Sequence, residues 1–372
     1  MKKRSNQKLS FFTKLLVIVN CGIALALLIS YLAPVTDPRK FWVVAFFGLA
    51  YPPLLFVNAL FIVLWLIVRK KFALISIIAI LIGYDVLLNN IGFSFSGDKE
   101  TQQKEGSVRF STYNVHSFKK SDGTDDDNIR HKILSTITDI QPDVIGVQEY
   151  FSRRKGSYAI KDSIHHLLKT SYHYTEATAE NKSEIMGAAI FSRYPIVSNG
   201  SVAIGEPNSG NQCIYADIKL AGGQIIRFYS AHLQSIRFGQ QDYSYLDTVK
   251  KSGKADLSST RRLAGKLKRA FLERAEQVMI LKQHAAMCQY PYIISGDFND
   301  TPTSFAVNHI AKGLQNTFRE KGFGLGRTYN GDFPNYQIDY ILASNRFNVL
   351  DYEIVQQKLS DHYPVYADVI LK

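Results

Sequence analysis

The chain has 372 residues and a formal net charge of +12, more length than one typical domain needs. The charge is uneven: residues 1–100 hold 11 Lys/Arg and 4 Asp/Glu in the most apolar quarter, where basic residues set membrane orientation and are weak evidence for nucleic acid. Three cysteines, none at zinc-site spacing, exclude a disulfide scaffold and a zinc ribbon; Cys21 lies in an apolar stretch, so Cys213 and Cys288 allow at most one intradomain disulfide.

Three apolar stretches fill the first quarter, at about 12–33, 41–68 and 72–93. Each supplies the roughly 20 residues needed to cross the hydrocarbon. The first is too long for a signal-peptide core, lacks a clean cleavage site and is followed by further apolar runs, so it reads as a retained span. Lys2, Lys3, Arg4 and Lys8 precede it, and Arg69, Lys70 and Lys71 separate the second stretch from the third. The positive-inside rule puts both clusters in the cytoplasm, and three spans then carry the rest of the chain outside. Pro52-Pro53 interrupts the second stretch and leaves two forms open, a kinked span or a tight hairpin. The kinked span is expected, because each half is too short to cross alone. Asp85, Asn89 and Asn90 sit near the outer end of the third stretch, within reach of water. A polar connector over 96–107, rich in Lys, Glu, Gln and Gly, reads as a linker.

From residue 108 the pattern changes. VRFSTYNV (108–115), DVIGVQEY (143–150) and AAIFSRYPIV (188–197) read as strands, the last closed by a turn at Pro195. IRHKILSTITDIQ (129–141) has helical spacing and ends before Pro142. CIYADIKL (213–220) and IIRFYSAHL (225–233) flank Gly222-Gly223 as a hairpin. A long amphipathic helix is expected over 260–288, then strands at 290–299, 337–344, 349–356 and 363–371. Strands paired by hairpins and strands followed by helices predict an α/β sandwich of two sheets.

Polar residues gather where these strands stop: Asn114 and His116, Gln148 and Glu149, His232, Asp297 and Asn299, Asp339, and Asp361 and His362. Singly, each has an ordinary structural reading. Together they supply carboxylates for a hard cation, imidazoles and amides. Mg²⁺ takes oxygen ligands and keeps several waters, and no histidine-rich cluster favours zinc. A carboxylate-bound metal beside histidines suits attack on phosphorus.

STYNVH (111–116), QEYF (148–151), SAHLQS (230–235), SGDFND (295–300), QIDYIL (337–342) and SDHYPV (360–365), in this order, resemble the motifs of the endonuclease/exonuclease/phosphatase superfamily, over about residues 108–372. The resemblance implies a four-layered α/β sandwich, two packed mixed sheets flanked by helices; the apolar stretches place it after an N-terminal bundle of three transmembrane helices. It implies that Glu149 is the main Mg²⁺ ligand, with Mn²⁺ as a substitute, and that Asn114 is its neighbour at the metal. Asp361 supports a metal directly or through water. Asp297 orients or deprotonates the attacking water, and Asn299 holds that water or a phosphate oxygen. His362 contacts the scissile phosphate as base or stabiliser, Asp339 fixes its ring, and His232 acts on the leaving-group side.

The implied reaction is in-line water attack on a phosphodiester, most simply in a nucleic acid. A lipid head group is the alternative that the membrane tether suggests, and a non-hydrolytic binder of a phosphorylated ligand is a third reading. Arg193 and Arg327 are candidate phosphate contacts, since arginine binds phosphate in a bidentate way. Residues 237–269 form a basic insertion carrying Tyr243 and Tyr245. It reads as a groove for nucleic-acid phosphates, a surface for an anionic membrane, or a solvated helix and loop. No tryptophan precedes GDFN and no Cys-Asp-Arg segment is present, which departs from the inositol-phosphatase branch.

Overall fold

A computed structural model describes residues 9–94, 103–120, 122–206, 209–331 and 335–372. Lys2, Lys3, Arg4, Lys8 and most of the expected linker lie outside the described residues. The chain divides into two compact units, Met1–Leu87 with Thr303–Phe305, and Leu88–Pro302 with Ala306–Lys372.

The first unit is helical. Helix α1 (Phe11–Ser30) begins at Ser10, whose side chain accepts the Thr13 N–H, an ordinary N-cap. Two short helices, α2 (Pro38–Phe41) and α3 (Val43–Leu49), precede α4 (Tyr51–Val68). Pro52 and Pro53 stand in the first turn of α4, where a missing N–H costs nothing. The second apolar stretch is thus divided at Ala50, with α3 before it and the prolines just inside α4. Helices α5 (Ala73–Ile82) and α6 (Tyr84–Asn90) meet at Gly83, and the segments on either side are bent by 71°. Two helices, α1 and α4, are long and apolar enough to cross a membrane, or three if the bent pair counts as one. Buried polar groups join them: Trp65 Nε1 donates to Asn20 Oδ1 (2.8 Å), Asn20 Nδ2 to Ser76 Oγ (2.7 Å), and Ser76 Oγ to Asn58 Oδ1 (2.9 Å). In an apolar bundle such bonds fix helix register, because an unpaired amide has no water to turn to.

The second unit opens with β1 (Ile91–Phe93), the tail of the third apolar stretch, which is a strand and not the end of a span. In chain order there follow β2 (Val108–Asn114), α7 (Asp127–Ile140), β3 (Val144–Arg153), α8 (Ile160–Leu168), β4 (Tyr172–Glu180), β5 (Glu184–Ser192), β6 (Ile196–Ser201), β7 (Gln212–Lys219), β8 (Ile225–His232), α9 (Gln240–Ser252), α10 (Leu257–Ala286) and β9 (Tyr292–Asp297). The rest is α11 (Phe305–Ala311), β10 (Leu314–Asn316), α12 (Thr317–Lys321), β11 (Phe323–Leu325), β12 (Asp339–Ser344), β13 (Phe347–Ile354) and β14 (Val365–Leu371). Among the described residues two six-stranded sheets form, in the orders β13-β14-β2-β3-β5-β4 and β10-β12-β9-β8-β7-β6, and β1 pairs with β11. Segment 188–197, expected as one strand, is the end of β5 in the first sheet and the start of β6 in the second.

Three apolar layers account for the stacking. Phe110, Val144 and Ile190 of one sheet meet Ile214, Phe228 and Ile341 of the other between the sheets. Ile133, Ile137, Ile160 and Ile164 of α7 and α8 cover the outer face of the first sheet against Ile145 and Val147. Val278, Leu281 and Ala285 of α10 cover the second against Tyr229 and Ile294. The four-layered α/β sandwich stands as expected. Cys213 is buried and Cys288 half-buried, and neither is disulfide-bonded.

Candidate active site

The sheets bring their chemistry to one edge by register. Asn114, the last residue of β2, is the register partner of Gln148 in the middle of the parallel strand β3, next to the Glu149 bulge. His232 and Asp297 are partners at the ends of parallel strands β8 and β9, and Asp339 opens β12 opposite Asp297. Behind them the two sheets are tied by a buried chain, Thr112 Oγ1 donating to Gln148 Oε1 (3.1 Å) and Gln148 Nε2 to Ser230 Oγ (2.8 Å). Gly296 aims Asp297: its φ is +136°, and a Cβ there would sit 1.9 Å from the Ala231 carbonyl oxygen, so no other residue fits. Glu149 sits at a bulge in β3 with φ +50°. That is uncommon for a glutamate and belongs to the kind of backbone strain that gathers at functional sites.

Asp297 is the hub. It is 1 % exposed. Its Oδ1 accepts the Asn299 N–H (2.8 Å), and its Oδ2 accepts from Asn114 Nδ2 and Asn299 Nδ2, both at 3.2 Å. His232 Nε2 and His362 Nε2 each lie 3.6 Å from Oδ2. Burial pushes the Asp297 carboxyl up, against the pull of the histidines. His362 has its Nδ1 on Asp339, at 3.0 Å to Oδ2. Burial alone would lower the imidazole, but the Asp339 and Asp297 carboxylates overcome it and hold the ring protonated. The Tyr329 ring stands edge-on to His362 at 5.4 Å. Thr328 Oγ1 accepts the N–H groups of Ile338 and Asp339, setting the strand start that carries the carboxylate.

A second, more open group lies beside this one. Glu149 and Asp361 are both 37 % exposed, and His116 Nδ1 is 3.6 Å from one and 3.7 Å from the other. Asn114 Nδ2 reaches Glu149 Oε1 at 3.1 Å. Ser360 Oγ lies 2.8 Å from the Asn114 carbonyl oxygen and 3.1 Å from Asp361 Oδ1, linking the last motif to the first.

Among the described residues one compact group of possible cation ligands is present, with a looser pair of carboxylates beside it. Asp297, Asp339 and His362 have ligand atoms all within 4.8 Å of one another. Both ring nitrogens of His362 already face carboxylates, Nδ1 that of Asp339 and Nε2 that of Asp297, so the trio also forms a hydrogen-bonded relay. Glu149 and Asp361 offer carboxylate oxygens in a water-accessible place, as a hard cation that keeps its waters requires. The donor set fits such an ion there.

Of the residues singled out in the sequence, Asn114, Glu149, His232, Asp297, Asn299, Asp339, Asp361 and His362 come together. Arg193 does not. Its N–H donates to the Asp143 carbonyl (2.8 Å) and its guanidinium lies 3.6 Å from the Asp143 carboxylate. That is at the start of β3, roughly 20 Å of strand from Glu149; Arg193 holds the turn between β5 and β6, away from the cluster around Asp297. Arg327 is exposed, one residue from Thr328, and its side chain has no hydrogen-bonded partner among the described residues. The basic insertion is folded as α9 and the first turns of α10. Its tyrosines serve structure: Tyr245 Oη meets Thr260 Oγ1 at 2.6 Å, and the Tyr243 ring packs edge-on against Phe238. Ser360 stood inside the SDHYPV motif with no role attached to it, and Thr328 and Tyr329 carried no signal of their own. His116 stood in the polar cluster with no role attached to it.

A family of the description Endonuclease/Exonuclease/phosphatase matches residues 111–362, and a Domain of unknown function (DUF8431) matches residues 13–90. No curated protein matches the sequence. Among solved structures, an endonuclease/exonuclease/phosphatase family protein of Bacteroides thetaiotaomicron is similar at 19 % identity and a TM-score of 0.53, covering 73 % of this chain and 99 % of that one. A mannosyl-6-phosphatase of Bacteroides thetaiotaomicron VPI-5482 is similar at 19 % identity and a TM-score of 0.51, covering 71 % and 100 %. The human Nocturnin catalytic domain, with bound sulfate, is similar at 14 % identity and a TM-score of 0.50, covering 73 % and 97 %.

Proposed function

The chain belongs to the endonuclease/exonuclease/phosphatase family, and from that premise we propose that it is a membrane-anchored, Mg²⁺-dependent phosphodiesterase of nuclease-like action. Its chemistry is phosphate-ester hydrolysis. The observation that carries the reading is the meeting of Asn114, His232 and His362 on the single buried carboxylate of Asp297.

Asp297, made more basic by burial, orients and accepts a proton from the attacking water, which Asn299 helps to hold. His362, kept protonated by Asp339, places a positive N–H against charge developing on a non-bridging oxygen. His232, on the neighbouring strand end, serves the leaving oxygen. Glu149, Asp361 and Asn114 are the residues to hold Mg²⁺, or Mn²⁺ in its place; when bound, the ion supplies neutralising charge for the phosphate oxygens. Arg327, exposed and unpaired among the described residues, is the remaining candidate for an outer phosphate contact.

The apolar helices α1 and α4 support a second reading of the substrate, a phospholipid head group, since a membrane tether keeps the site near lipid. Anchoring is proposed in the cytoplasmic membrane, with the catalytic unit outside it. The test uses the full chain in detergent and a Glu149→Ala variant, assayed with Mg²⁺ or Mn²⁺ against DNA, RNA, sphingomyelin, phosphoinositides and an aryl phosphodiester. Turnover that EDTA and the substitution both abolish supports the reading, and the preferred substrate selects nucleic acid or lipid. A folded chain that binds Mg²⁺ and a phosphorylated ligand without turnover would make it a binding protein.

A further inference from the structure

Beside Glu149 and His232 opens a cavity of about 280 Å³, bordered on its far side by Thr178, Met186, Asn211 and Arg237. The volume lies just below the usual range of about 300–1,000 Å³ for a small-molecule site. Arg237 is the one Arg or Lys among its described lining residues. One guanidinium nitrogen donates to the Ser209 carbonyl, and no carboxylate pairs with the side chain among the described residues. The same residue also borders a cavity of about 560 Å³, but that wall carries Glu206, Glu273 and Glu276, which would repel an anion.

The backbone of Arg237 has φ +54°, a left-handed conformation that survives in an arginine only where its surroundings impose it. The basic insertion does so. Asp242, 2 % exposed, accepts from Gly239 N (2.8 Å), Lys266 Nζ (2.6 Å) and Arg262 Nε (2.9 Å), and Lys266 Nζ also donates to the Arg237 carbonyl (3.0 Å). On the preceding side, Arg274 Nη1 donates to the Gln234 carbonyl and Gln234 N to Gln277 Oε1, both at 2.9 Å. Gln234, Arg237 and Gly239 are thus held by contacts from α9 and α10, and Arg237, at the start of the insertion, stands on the wall of the cavity that Glu149 and His232 also line.

We propose that Arg237 binds a second phosphate of the substrate, adjacent to the scissile one, so that the preferred substrates are phosphoesters with two neighbouring phosphate groups. Asp242 is the positioning residue. The proposal rests on the phosphoesterase reading above and adds the substrate class to it.

The test takes the full chain in detergent with Mg²⁺ and a matched pair of substrates: the nitrophenyl ester of thymidine 5′-phosphate, with and without a 3′-phosphate. The wild type should favour the two-phosphate ester in kcat/KM by about 10- to 100-fold, the worth of one or two charge-assisted hydrogen bonds. Arg237→Ala should remove that preference through KM and leave the one-phosphate ester unchanged. Asp242→Asn should raise KM for the two-phosphate ester alone, and the double variant should be no worse than Arg237→Ala, as expected of residues acting as one unit. A wild type without preference, or a preference that survives Arg237→Ala in a chain of unchanged Tm, overturns the proposal. If neither ester turns over, the nuclease-like reading loses these substrates independently of the second-phosphate site. Calorimetric binding of thymidine 3′,5′-bisphosphate then decides: weaker binding by Arg237→Ala upholds the second-phosphate site, and equal or absent binding removes it.

Discussion

His362 shows how far a single residue can be argued. Its ring is buried between two carboxylates, Asp339 at 3.0 Å and Asp297 at 3.6 Å. Asp339→Asn would leave the ring without the partner that fixes its proton and its orientation. We expect kcat to fall by about 10²–10⁴, the usual worth of a positioned acid or base, with KM little changed; a loss confined to KM would count against this role. A second residue-scale expectation concerns His165 and His173, whose rings meet at 3.1 Å beside Phe191. Burial, first of all, holds both below the ordinary histidine value. The unfolded chain therefore takes protons that the folded one refuses. Their stabilisation is complete above about pH 6.5 and is lost as pH falls through the depressed folded values. Thermal unfolding followed from pH 8 to 5 should show this loss, and His165→Phe should flatten it; an unchanged slope would place the acid sensitivity elsewhere. At this scale the sequence was most legible where chemistry dictates residue type. Asp297, Asp339 and His362 had no substitutes. Arg237 had no such signal, because its left-handed backbone and its place at a cavity exist only in three dimensions. Arg193 misled because an arginine beside a turn looks the same whether it binds phosphate or braces the turn.

Elements were legible by type more than by partner. The hairpin at Gly222-Gly223 and the long helix were plain from turn chemistry and period. The run 188–197 was not, since alternation shows that a residue faces a core without saying which sheet it joins. Its two halves belong to β5 and β6, separated by the turn that Arg193 and Asp143 hold. Strand β4 was missed because its exposed, polar pattern, YHYTEATAE, offers little apolar alternation. Helix α10 carries a different lesson. Its Arg274 is 1 % exposed and binds Asp300, 5 % exposed, at 2.8 Å, in the loop that follows Asp297. Asp300→Ala would strand a buried guanidinium, which typically costs about 3–5 kcal/mol. The expected outcome is a Tm lowered by roughly 10 °C in a domain of this size, together with weaker activity, since Arg274 also holds the Gln234 carbonyl behind His232. A Tm within a degree of wild type would mean that water or another group takes over the pairing.

At the scale of the whole chain the decisive number is how many of the apolar helices would cross a membrane in the proposed anchoring. Hydropathy counts apolar residues and cannot see a bend, so 72–93 reads as a span like the others. In the structure that run is α5, Gly83 and α6 with a 71° bend, and its last residues are a strand. Helix α5 has 10 residues, about 15 Å of helix, and cannot cross alone; only the pair with α6 can. The cations Arg69, Lys70 and Lys71 follow α4, and by the positive-inside rule that turn is expected on the cytoplasmic side. If the bent pair crosses, the chain after residue 93 emerges outside, and its substrates are extracytoplasmic phosphoesters. If the pair dips in and returns, two crossings leave the same chain in the cytoplasm. We expect three. Alkaline phosphatase fused after Lys372 should then be active and green fluorescent protein at the same place dark. The opposite pattern would make the bent pair re-entrant and bring cytoplasmic nucleic acid within reach of Asp297 and His362. Asn20, Ser76, Asn58 and Trp65 join α1, α4 and α5 in either case, so the register of the bundle does not depend on the outcome, whereas the side on which the catalytic unit works does.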